Sequence, residues 1–255
     1  MIEIVLLGSG NVATHLFKAF SAAEGLRVKQ VYNHSENSLD FFRSKTEVTT
    51  DINELAPADV YLLALKDDVI PEISKKLTQQ KALVVHTSGS VSIDALDNCL
   101  RRGVFYPLQT FSKDREVNYC SIPFCLEANN SEDLGLLKKL AEKISGKSYE
   151  ISSEQRKKLH LSAVFVCNFV NHLYAVGEQI CQKSEIPFDI LKPLILETAS
   201  KVQHASPAGV QTGPAIRNDR STINAHLQLL EASQENREIY NILTSAIQTF
   251  HGKKL

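Results

Sequence analysis

The chain of 255 residues lacks the features that mark several classes of protein. Its cysteines are Cys99, Cys120, Cys125, Cys167 and Cys181. Their number is odd and no C-x-x-C pair occurs, so neither a disulfide framework nor a thiolate zinc site is indicated. We expect reduced thiols and no metal. Lys plus Arg (28) nearly equal Asp plus Glu (29), which argues against a nucleic-acid binder that works by bulk positive charge.

Signals for export and for membrane insertion are also missing on inspection. The chain opens directly on an apolar run, residues 2–7, with no basic segment or cleavage site. No apolar stretch looks long enough to span a bilayer. We therefore expect a cytoplasmic protein that binds neither membranes nor nucleic acid.

The first 152 residues alternate short apolar runs with helical stretches. The predicted strands are residues 2–7, 27–32, 60–65, 82–85, 104–106 and 123–126. Near-continuous apolar runs of this kind are typical of strands that are covered on both faces. The alternation predicts an α/β fold, a Rossmann-type, doubly wound and mostly parallel sheet over residues 1–152.

After residue 152 the strand signals stop. The predicted helices are residues 153–184, 189–205, 221–233 and 237–251, with a loop rich in helix breakers at 206–214. This pattern predicts an all-helical C-terminal domain, residues 153–255. A domain this small, with several apolar faces, buries little surface alone, so we expect a homodimer through the helical half.

Glycine is scarce, at 11 residues, so a glycine cluster directly after the first predicted strand carries weight. The cluster reads Gly8-Ser9-Gly10-Asn11-Val12-Ala13. A G-x-G-x-x-A pattern between a strand and a helix is typical of a dinucleotide site, where Gly8 permits the turn and Gly10 lets a pyrophosphate approach the backbone. The first amides of the helix then face the phosphates. The alternative is a plain turn that holds two glycines.

The end of the second predicted strand bears on the choice of cofactor. An NAD site usually places Asp or Glu about 20 residues after the glycines, on the ribose 2′-hydroxyl. Here the strand ends in Asn33-His34-Ser35, without a carboxylate. Asn33 and Ser35 can donate to a 2′-phosphate, and His34 can stack on the cofactor or carry charge. The tip favours NADP, with NAD as the alternative because no arginine stands there.

Polar residues follow two further predicted strands. Thr87, Ser88 and Gly89 come after one of them, and Gln109 and Thr110 come after another. Ligands of doubly wound sheets bind at the carboxyl ends of strands, so we expect the first group to contact the cofactor and the second to contact the substrate. The alternatives are an ordinary strand-ending turn and the start of a long loop.

Several of these motifs resemble known enzymes. The glycine loop, the tip Asn33-His34-Ser35 and the segment Ala64-Leu65-Lys66 look like pyrroline-5-carboxylate reductase and the related deazaflavin-dependent NADP reductases. In those relatives the A-x-K end of the strand lies under the cofactor, which implies a cofactor contact for Leu65 and Lys66. In that family the second strand typically ends in Asn-Arg-Ser or Asn-Arg-Thr, and here His34 stands in place of the arginine.

A second resemblance spans nearly the whole chain. It rests on His86-Thr87-Ser88-Gly89-Ser90, on Tyr106-Pro107-Leu108-Gln109-Thr110-Phe111 and on Thr212-Gly213-Pro214-Ala215-x-Arg217-x-Asp219. These motifs look like a bacterial family, often labelled NADP oxidoreductases, that joins a Rossmann-like domain to a helical domain of unknown function. The resemblance implies the architecture and the cofactor, and it names no substrate.

The long predicted helix carries a polar stripe. At 100° per residue His160, Asn168 and Asn171 share one arc, and the opposite arc is apolar. Buried polar groups need partners, so we expect this stripe to face substrate, water or the other domain. His160 is then the proton donor, because histidine exchanges protons near neutral pH, and the two asparagines orient substrate or water. The alternative is a structural histidine.

The predicted activity is hydride transfer between NADP(H) and a small carbonyl, imine or hydroxy compound. Arg217 either binds a substrate carboxylate or pairs with Asp219 at an interface. One alternative is a dinucleotide-binding sensor or scaffold without catalysis. It is favoured by the absence of the Lys-x-x-x-Asn of related hydroxyacid dehydrogenases, since Ser162 follows Lys158 at that spacing. The other alternative is a deazaflavin-dependent reductase.

Overall fold

A computed structural model describes residues 1–78 and 81–252 of the chain. The chain divides into two compact units, Met1–Cys167 and Asn168–Leu255. The first unit contains a β-sheet with flanking helices, and the second is helical. The predicted domain boundary at residues 152 and 153 falls at the start of a helix in the first unit, and it stays a prediction.

A sheet of eight strands forms the centre of the first unit. The strands are β1 (Ile2–Leu7), β2 (Leu26–Tyr32), β3 (Glu47–Thr49), β4 (Val60–Leu63), β5 (Leu83–His86), β6 (Arg102–Pro107), β7 (Phe124–Ala128) and β8 (Ser148–Glu150). Their order is β3-β2-β1-β4-β5-β6-β7-β8, and every neighbouring pair is parallel except β6 with β7. The predicted Rossmann-type sheet is confirmed. The edge strands β3 and β8 were not predicted, because three residues are too few to show a pattern.

The strands of the sheet centre are buried on both faces, as their apolar runs predict. Along β1, Ile4 and Leu6 belong to one core cluster, whereas Val5 and Leu7 belong to another. Side chains of a strand alternate between faces, so one strand supplies both cores. The strand order reverses at β1: β2 and β3 lie on one side of it, and β4 and the later strands lie on the other. The carboxyl ends of β1 and β4 are therefore the expected ligand crevice.

The described part of the chain contains nine α-helices. They are α1 (Asn11–Ala22), α2 (Asp40–Arg43), α3 (Ile70–Ser74), α4 (Ser131–Ile144), α5 (Ser153–Ala163), α6 (Val170–Lys183), α7 (Lys192–His204), α8 (Arg220–Leu229) and α9 (Gln234–Gly252). The helices of the second unit agree with the predicted all-helical C-terminal region.

The long helix predicted from residue 153 is continuous but is not α-helical throughout. A π-helical segment, Val164–Phe169, joins α5 to α6. A π segment holds one more residue per hydrogen-bonded turn, so the side chains after it are rotated by roughly 100° relative to a straight α-helix. The stripe that the sequence predicts for His160, Asn168 and Asn171 assumes a uniform helix, and that assumption is wrong.

The same stretch bears on the expectation that no apolar segment is long enough to cross a bilayer. Ser153–Lys183 has 31 residues and a window with mean hydropathy 1.4, so by length and composition it passes that test and the expectation is wrong. None of that window is buried within the chain. A single helix of this kind is weak evidence for a membrane span, because helices that pack within soluble proteins pass the same test.

The second unit buries very little of its own surface. Among its described residues, two are buried, Cys181 and Ala215. Large apolar side chains are exposed instead, such as Leu196 at 71% and Ile242 at 67%. Exposed apolar surface of this extent is typical of sites where proteins contact other molecules.

Candidate functional site

The glycine loop follows β1 and reaches β4. Gly8 has a φ of +117°, and its amide donates to the Tyr32 carbonyl at 2.8 Å. A Cβ at this position would lie 2.2 Å from the carbonyl oxygen of Ala64, at the exit of β4. Glycine is therefore required here both by the backbone conformation and by the close approach of the two strand ends.

Gly10 faces open space where the sequence predicts a pyrophosphate. No atom lies within 4 Å of a Cβ built there, and Gly10 is the N-cap of α1 without a side-chain cap hydrogen bond. The Asn11 amide side chain donates to the Phe111 carbonyl at 2.8 Å. The phosphate-binding groups available at this helix end are thus the backbone amides of Asn11 and Val12, which fit the pyrophosphate of a dinucleotide.

The three polar residues that follow β2 differ in burial and in their contacts. Asn33 is buried, and its side chain donates to the Ser38 hydroxyl, so it shapes the turn. His34 and Ser35 are exposed. Of the three residues predicted to read the 2′ position, the structure leaves His34 and Ser35 accessible to a ligand.

Hydroxyl groups of the turn after β5 form hydrogen bonds that stabilise the turn itself. The Ser88 hydroxyl accepts hydrogen bonds from the amides of Ser90 at 3.1 Å and Val91 at 3.0 Å. The Thr87 hydroxyl lies 3.4 Å from the Leu63 carbonyl, and the Ser90 hydroxyl bonds Asp67 in the loop after β4. The side chains of Thr87 and Ser88 therefore build the turn that links the ends of β4 and β5.

His86 is a structural residue at the end of β5. It is fully buried, its Nδ1 accepts from the Ser88 amide at 3.2 Å, and its Nε2 lies 3.3 Å from the Ser92 carbonyl. Burial, with the nearby Arg156 guanidinium as a second cause, lowers the pKa of His86 from 6.5 to about 4. The ring is therefore neutral at physiological pH, with its proton on Nε2.

Three residues from different elements meet beside this turn. The Tyr106 hydroxyl on β6 lies 3.3 Å from Nδ1 of His160 on α5. A Cβ on Gly89 would lie 2.6 Å from that nitrogen and 2.9 Å from Tyr106 Cζ. Both rings are partly exposed. The structure thus brings His160 to Gly89, at the carboxyl ends of β5 and β6, where no side chain on residue 89 could fit without displacing it.

A buried ion pair holds α5 in this position. Arg156 is fully buried and bonds Glu127 on β7 at 2.5 Å. Its other terminal nitrogen donates to the Val91 carbonyl and to the Ser153 hydroxyl. Because His160 lies one turn after Arg156, this anchor fixes the helix that carries it.

The other predicted contacts of the first unit lie at the surface. Lys66, Gln109 and Thr110 are exposed, and Leu65 is half-buried. The Gln109 side-chain oxygen accepts from the Thr110 amide at 2.8 Å. The structure leaves these residues available to a ligand and fixes no role for them.

Three predicted site residues belong to the second unit, where each is exposed: Asn168, Asn171 and Arg217. Asp219 does not depend on Arg217 for a partner. Its carboxylate caps α8 by accepting from the Thr222 amide at 3.1 Å and hydroxyl at 2.8 Å, and these bonds lower the pKa of Asp219. The charge of Arg217 also lowers the pKa of Asp219, so its pairing with Asp219 stays a prediction beside substrate binding.

The loop between β6 and β7 is fastened to α1. His15 is buried, with one ring nitrogen 2.8 Å from the Ser112 carbonyl and the other 3.0 Å from the Tyr119 hydroxyl. Its ring stacks on Phe111 at 4.8 Å. This contact, together with the Asn11 bond, holds the start of the loop against the helix of the glycine loop.

Sequence reasoning missed four residues that shape this site, namely Tyr106, Arg156, Glu127 and His15. Arg156 stands among Gln155, Lys157 and Lys158, which is the pattern of an exposed helix face. A signal existed for His15, a histidine in a largely apolar helical stretch. Tyr106 appeared within a motif without an assigned role.

Comparisons with known proteins give two family assignments. Residues 3–89 match the family described as NADP oxidoreductase, coenzyme F420-dependent. Residues 122–247 match a domain of unknown function, DUF2520. No functionally curated protein matches the chain.

Solved structures extend the similarity over the whole chain. A Bacteroides fragilis protein described as a "putative NADP oxidoreductase" is 43% identical with a TM-score of 0.91, over 97% of this chain and 98% of that one. A Thermotoga maritima protein is 20% identical with a TM-score of 0.74, over 98% and 99%. A pyrroline-5-carboxylate reductase from Coxiella burnetii is 20% identical with a TM-score of 0.60, over 99% and 98%. The last two show a shared fold alone.

The fold and the glycine loop define a Rossmann-type dinucleotide-binding oxidoreductase. The chain belongs to the family of NADP oxidoreductases that carries a DUF2520 domain at its C-terminal end. The family resemblance, the oxidoreductase class and NADP as the cofactor of the family are thereby confirmed.

Proposed function

We propose that this oxidoreductase transfers a hydride between NADP(H) and a small carbonyl, imine or hydroxy compound, with His160 as the proton donor. The observation that carries the proposal is the position of His160 beside Gly89, at the carboxyl ends of β5 and β6. Ligands of doubly wound sheets bind at this edge. A partly exposed imidazole at this edge has access to a bound substrate.

The chain's own residues would bind and orient the cofactor. The amides of the glycine loop, from Gly8 to Val12, would hold the pyrophosphate, and His34 and Ser35 would contact the 2′-phosphate. Leu65, Lys66 and the turn Thr87–Gly89 would line the part of the crevice that receives the nicotinamide end. When bound, NADPH supplies the hydride.

His160 would provide the proton that balances hydride addition to a carbonyl oxygen or imine nitrogen. It needs a hydrogen-bond partner to hold its ring and a nitrogen free for the substrate, and Tyr106 supplies the first. Asn168, Asn171, Gln109, Thr110 and Arg217 stay as proposed substrate contacts, on the strength of their polar groups and exposure.

The test compares His160→Ala with the unchanged protein in turnover and in NADPH binding. We expect turnover with a reducible carbonyl or imine to fall by about 100-fold or more, whereas the dissociation constant for NADPH changes less than about twofold. His204→Ala, on the exposed end of α7, is the matched control and should change neither quantity. Full turnover per folded molecule in His160→Ala, with a lower melting temperature, would assign His160 a structural role instead.

We also propose that the protein is a homodimer joined through the second unit. Its described residues include two buried side chains, whereas a folded unit of this size normally buries most of its apolar surface. Leu173, Ile239, Ile242 and Leu243 line an open apolar cavity of about 380 Å³ between α6 and α9. A twofold partner is the simplest cover for such a surface.

A further inference from the structure

We infer that Tyr106 is a positioning residue for His160. Its hydroxyl forms a hydrogen bond with Nδ1 of the imidazole, which leaves Nε2 as the nitrogen that exchanges a proton with the substrate. This inference rests on the proposed function for its catalytic meaning. The structural part of the inference, which nitrogen of the His160 ring carries the proton, can be measured without an activity assay.

The geometry of the pair supports this assignment. The hydroxyl of Tyr106 lies 3.3 Å from His160 Nδ1, within hydrogen-bonding distance. The ring planes meet at 74°, which is an edge-on approach of the two rings. Within the described part of the chain, His160 Nε2 takes part in no hydrogen bond. One nitrogen is therefore held, and the other is left for a ligand or for water.

The surroundings of Tyr106 keep its hydroxyl protonated. Burial raises the pKa of Tyr106 above its ordinary value of 10.0, Cys125 across the β6–β7 pair adds to the rise, and the guanidinium of Arg156 opposes it. Besides His160 itself, Cys125 and Arg156 are the titratable and charged groups that act on the phenol. A protonated hydroxyl donates to the unprotonated nitrogen of a neutral imidazole, and it accepts from the same nitrogen when the ring is charged. Nδ1 thus has a partner in both states.

The partner of one ring nitrogen decides which nitrogen carries the proton in a neutral histidine. With Tyr106 donating to Nδ1, the hydrogen of the neutral ring resides on Nε2. Gly89 is part of this arrangement, because a Cβ at residue 89 would lie 2.6 Å from Nδ1 and would separate the pair. The Arg156 anchor, through Glu127 on β7 and the Val91 carbonyl, keeps α5 and its His160 ring in place.

The test measures the tautomer of His160 by nitrogen-15 NMR in the full chain without cofactor. The spectra are recorded about two pH units above the ordinary histidine pKa, where the free ring is neutral. The His160 signals are identified by their loss in His160→Gln. We expect the wild-type ring to carry its proton on Nε2, and Tyr106→Phe to convert it to a mixture of both tautomers.

A matched control removes a similar contact elsewhere. Tyr240 holds His226 by a hydrogen bond of 2.9 Å between its hydroxyl and Nδ1 in the second unit. Tyr240→Phe should shift the signals of His226 and leave those of His160 unchanged. If Tyr106→Phe does not fold, Gly89→Ala provides a second way to separate the pair and should give the same tautomer mixture for His160.

The kinetic readout separates positioning from folding. In Tyr106→Phe we expect kcat to fall by about tenfold or more and its pH profile to move, with NADPH affinity changed less than about twofold. An unchanged tautomer in both variants, or a wild-type ring protonated on Nδ1, would overturn the inference. A protein that reduces no carbonyl or imine would defeat the proposed function alone, because the tautomer measurement still decides the role of Tyr106.

Discussion

Arg156 and Glu127 form a buried ion pair at 2.5 Å that is unequally exposed. The arginine side chain is 1% exposed and the glutamate side chain is 18% exposed. A charge left without its counterion costs more where water cannot reach it. Removing Glu127, which leaves the buried Arg156 unpaired, should therefore cost more stability than removing Arg156, which leaves the partly exposed Glu127 unpaired.

The first prediction uses this asymmetry. Glu127→Ala leaves Arg156 charged and buried, so we expect a loss of about 3–5 kcal/mol in the free energy of unfolding. Arg156→Met fills a similar volume and leaves a partly exposed carboxylate, so its loss should be smaller. Urea unfolding of both variants and of the double variant measures the difference. Equal losses from the two single changes would contradict it.

The second prediction separates two glycines by stability and binding. Gly10→Val enters open space at an ordinary φ of −75°, so the fold should lose only about 1 kcal/mol for the poorer N-cap residue. The side chain blocks the approach of a pyrophosphate, so NADPH binding should disappear in calorimetry. The melting temperature of Gly10→Val should stay near that of the wild type, so that the loss of binding is not caused by unfolding.

The companion change, Gly8→Ala, should act through the fold. Its Cβ would lie 2.2 Å from the Ala64 carbonyl oxygen at a φ of +117°. We expect a loss of about 2 kcal/mol or more in stability. A Gly8→Ala protein as stable as Gly10→Val would show that the turn adapts more readily than these distances allow.

The third prediction concerns the 2′-phosphate. The tip carries no carboxylate and exposes His34 and Ser35, so NADPH should bind more tightly than NADH by roughly tenfold, on the order of 1–2 kcal/mol. The gap is modest because the nearby Arg43 already bonds Glu36 at 2.8 Å. Ser35→Glu should remove the preference by repelling the phosphate. Equal affinity for both cofactors in the wild type, by calorimetry, would refute the argument.

The fourth prediction concerns the pH dependence of stability. The pKa of His86 is about 4 in the folded chain and 6.5 as its ordinary value, so between these pH values the unfolded chain binds more protons. Stability is therefore fully present above about pH 6.5 and falls as the pH drops toward 4, by up to about 3 kcal/mol. His86→Gln should flatten this part of the profile in chemical unfolding. An equally steep profile in the variant would assign the loss to other groups.

The fifth prediction concerns assembly. Light scattering at micromolar concentration should give the mass of a dimer. Ile242→Lys places a charge in the apolar cavity of the second unit, where it is 67% exposed, and should shift the protein toward monomer. Lys139→Ala, at an exposed position of α4 in the first unit, is the control and should leave the mass unchanged. A monomeric wild type would end this proposal.

The sequence determined the features that depend on neighbours along the chain. The apolar run of β1 followed by Gly8 and Gly10 predicts a strand, a turn and a dinucleotide-binding helix, because each signal is local. The change from alternating strands and helices to helices alone predicts the two regions. The π-helical segment Val164–Phe169 escaped prediction, since its hydrogen bonding differs from an α-helix without a distinct residue pattern.

Only the tertiary structure decided which residues meet at the ends of β5 and β6. Tyr106 and His160 are 54 residues apart, and Arg156 and Glu127 are 29 apart, so no local pattern joins either pair. Arg156 has the sequence surroundings of a solvated residue and is buried because β7 supplies a carboxylate beneath it. Asn33 and Ser88 are polar residues at strand ends, where the sequence predicts ligand contacts, yet their side chains form hydrogen bonds within turns. A polar side chain bonds whichever partner the packed chain places within reach, and that choice depends on strand order and helix register.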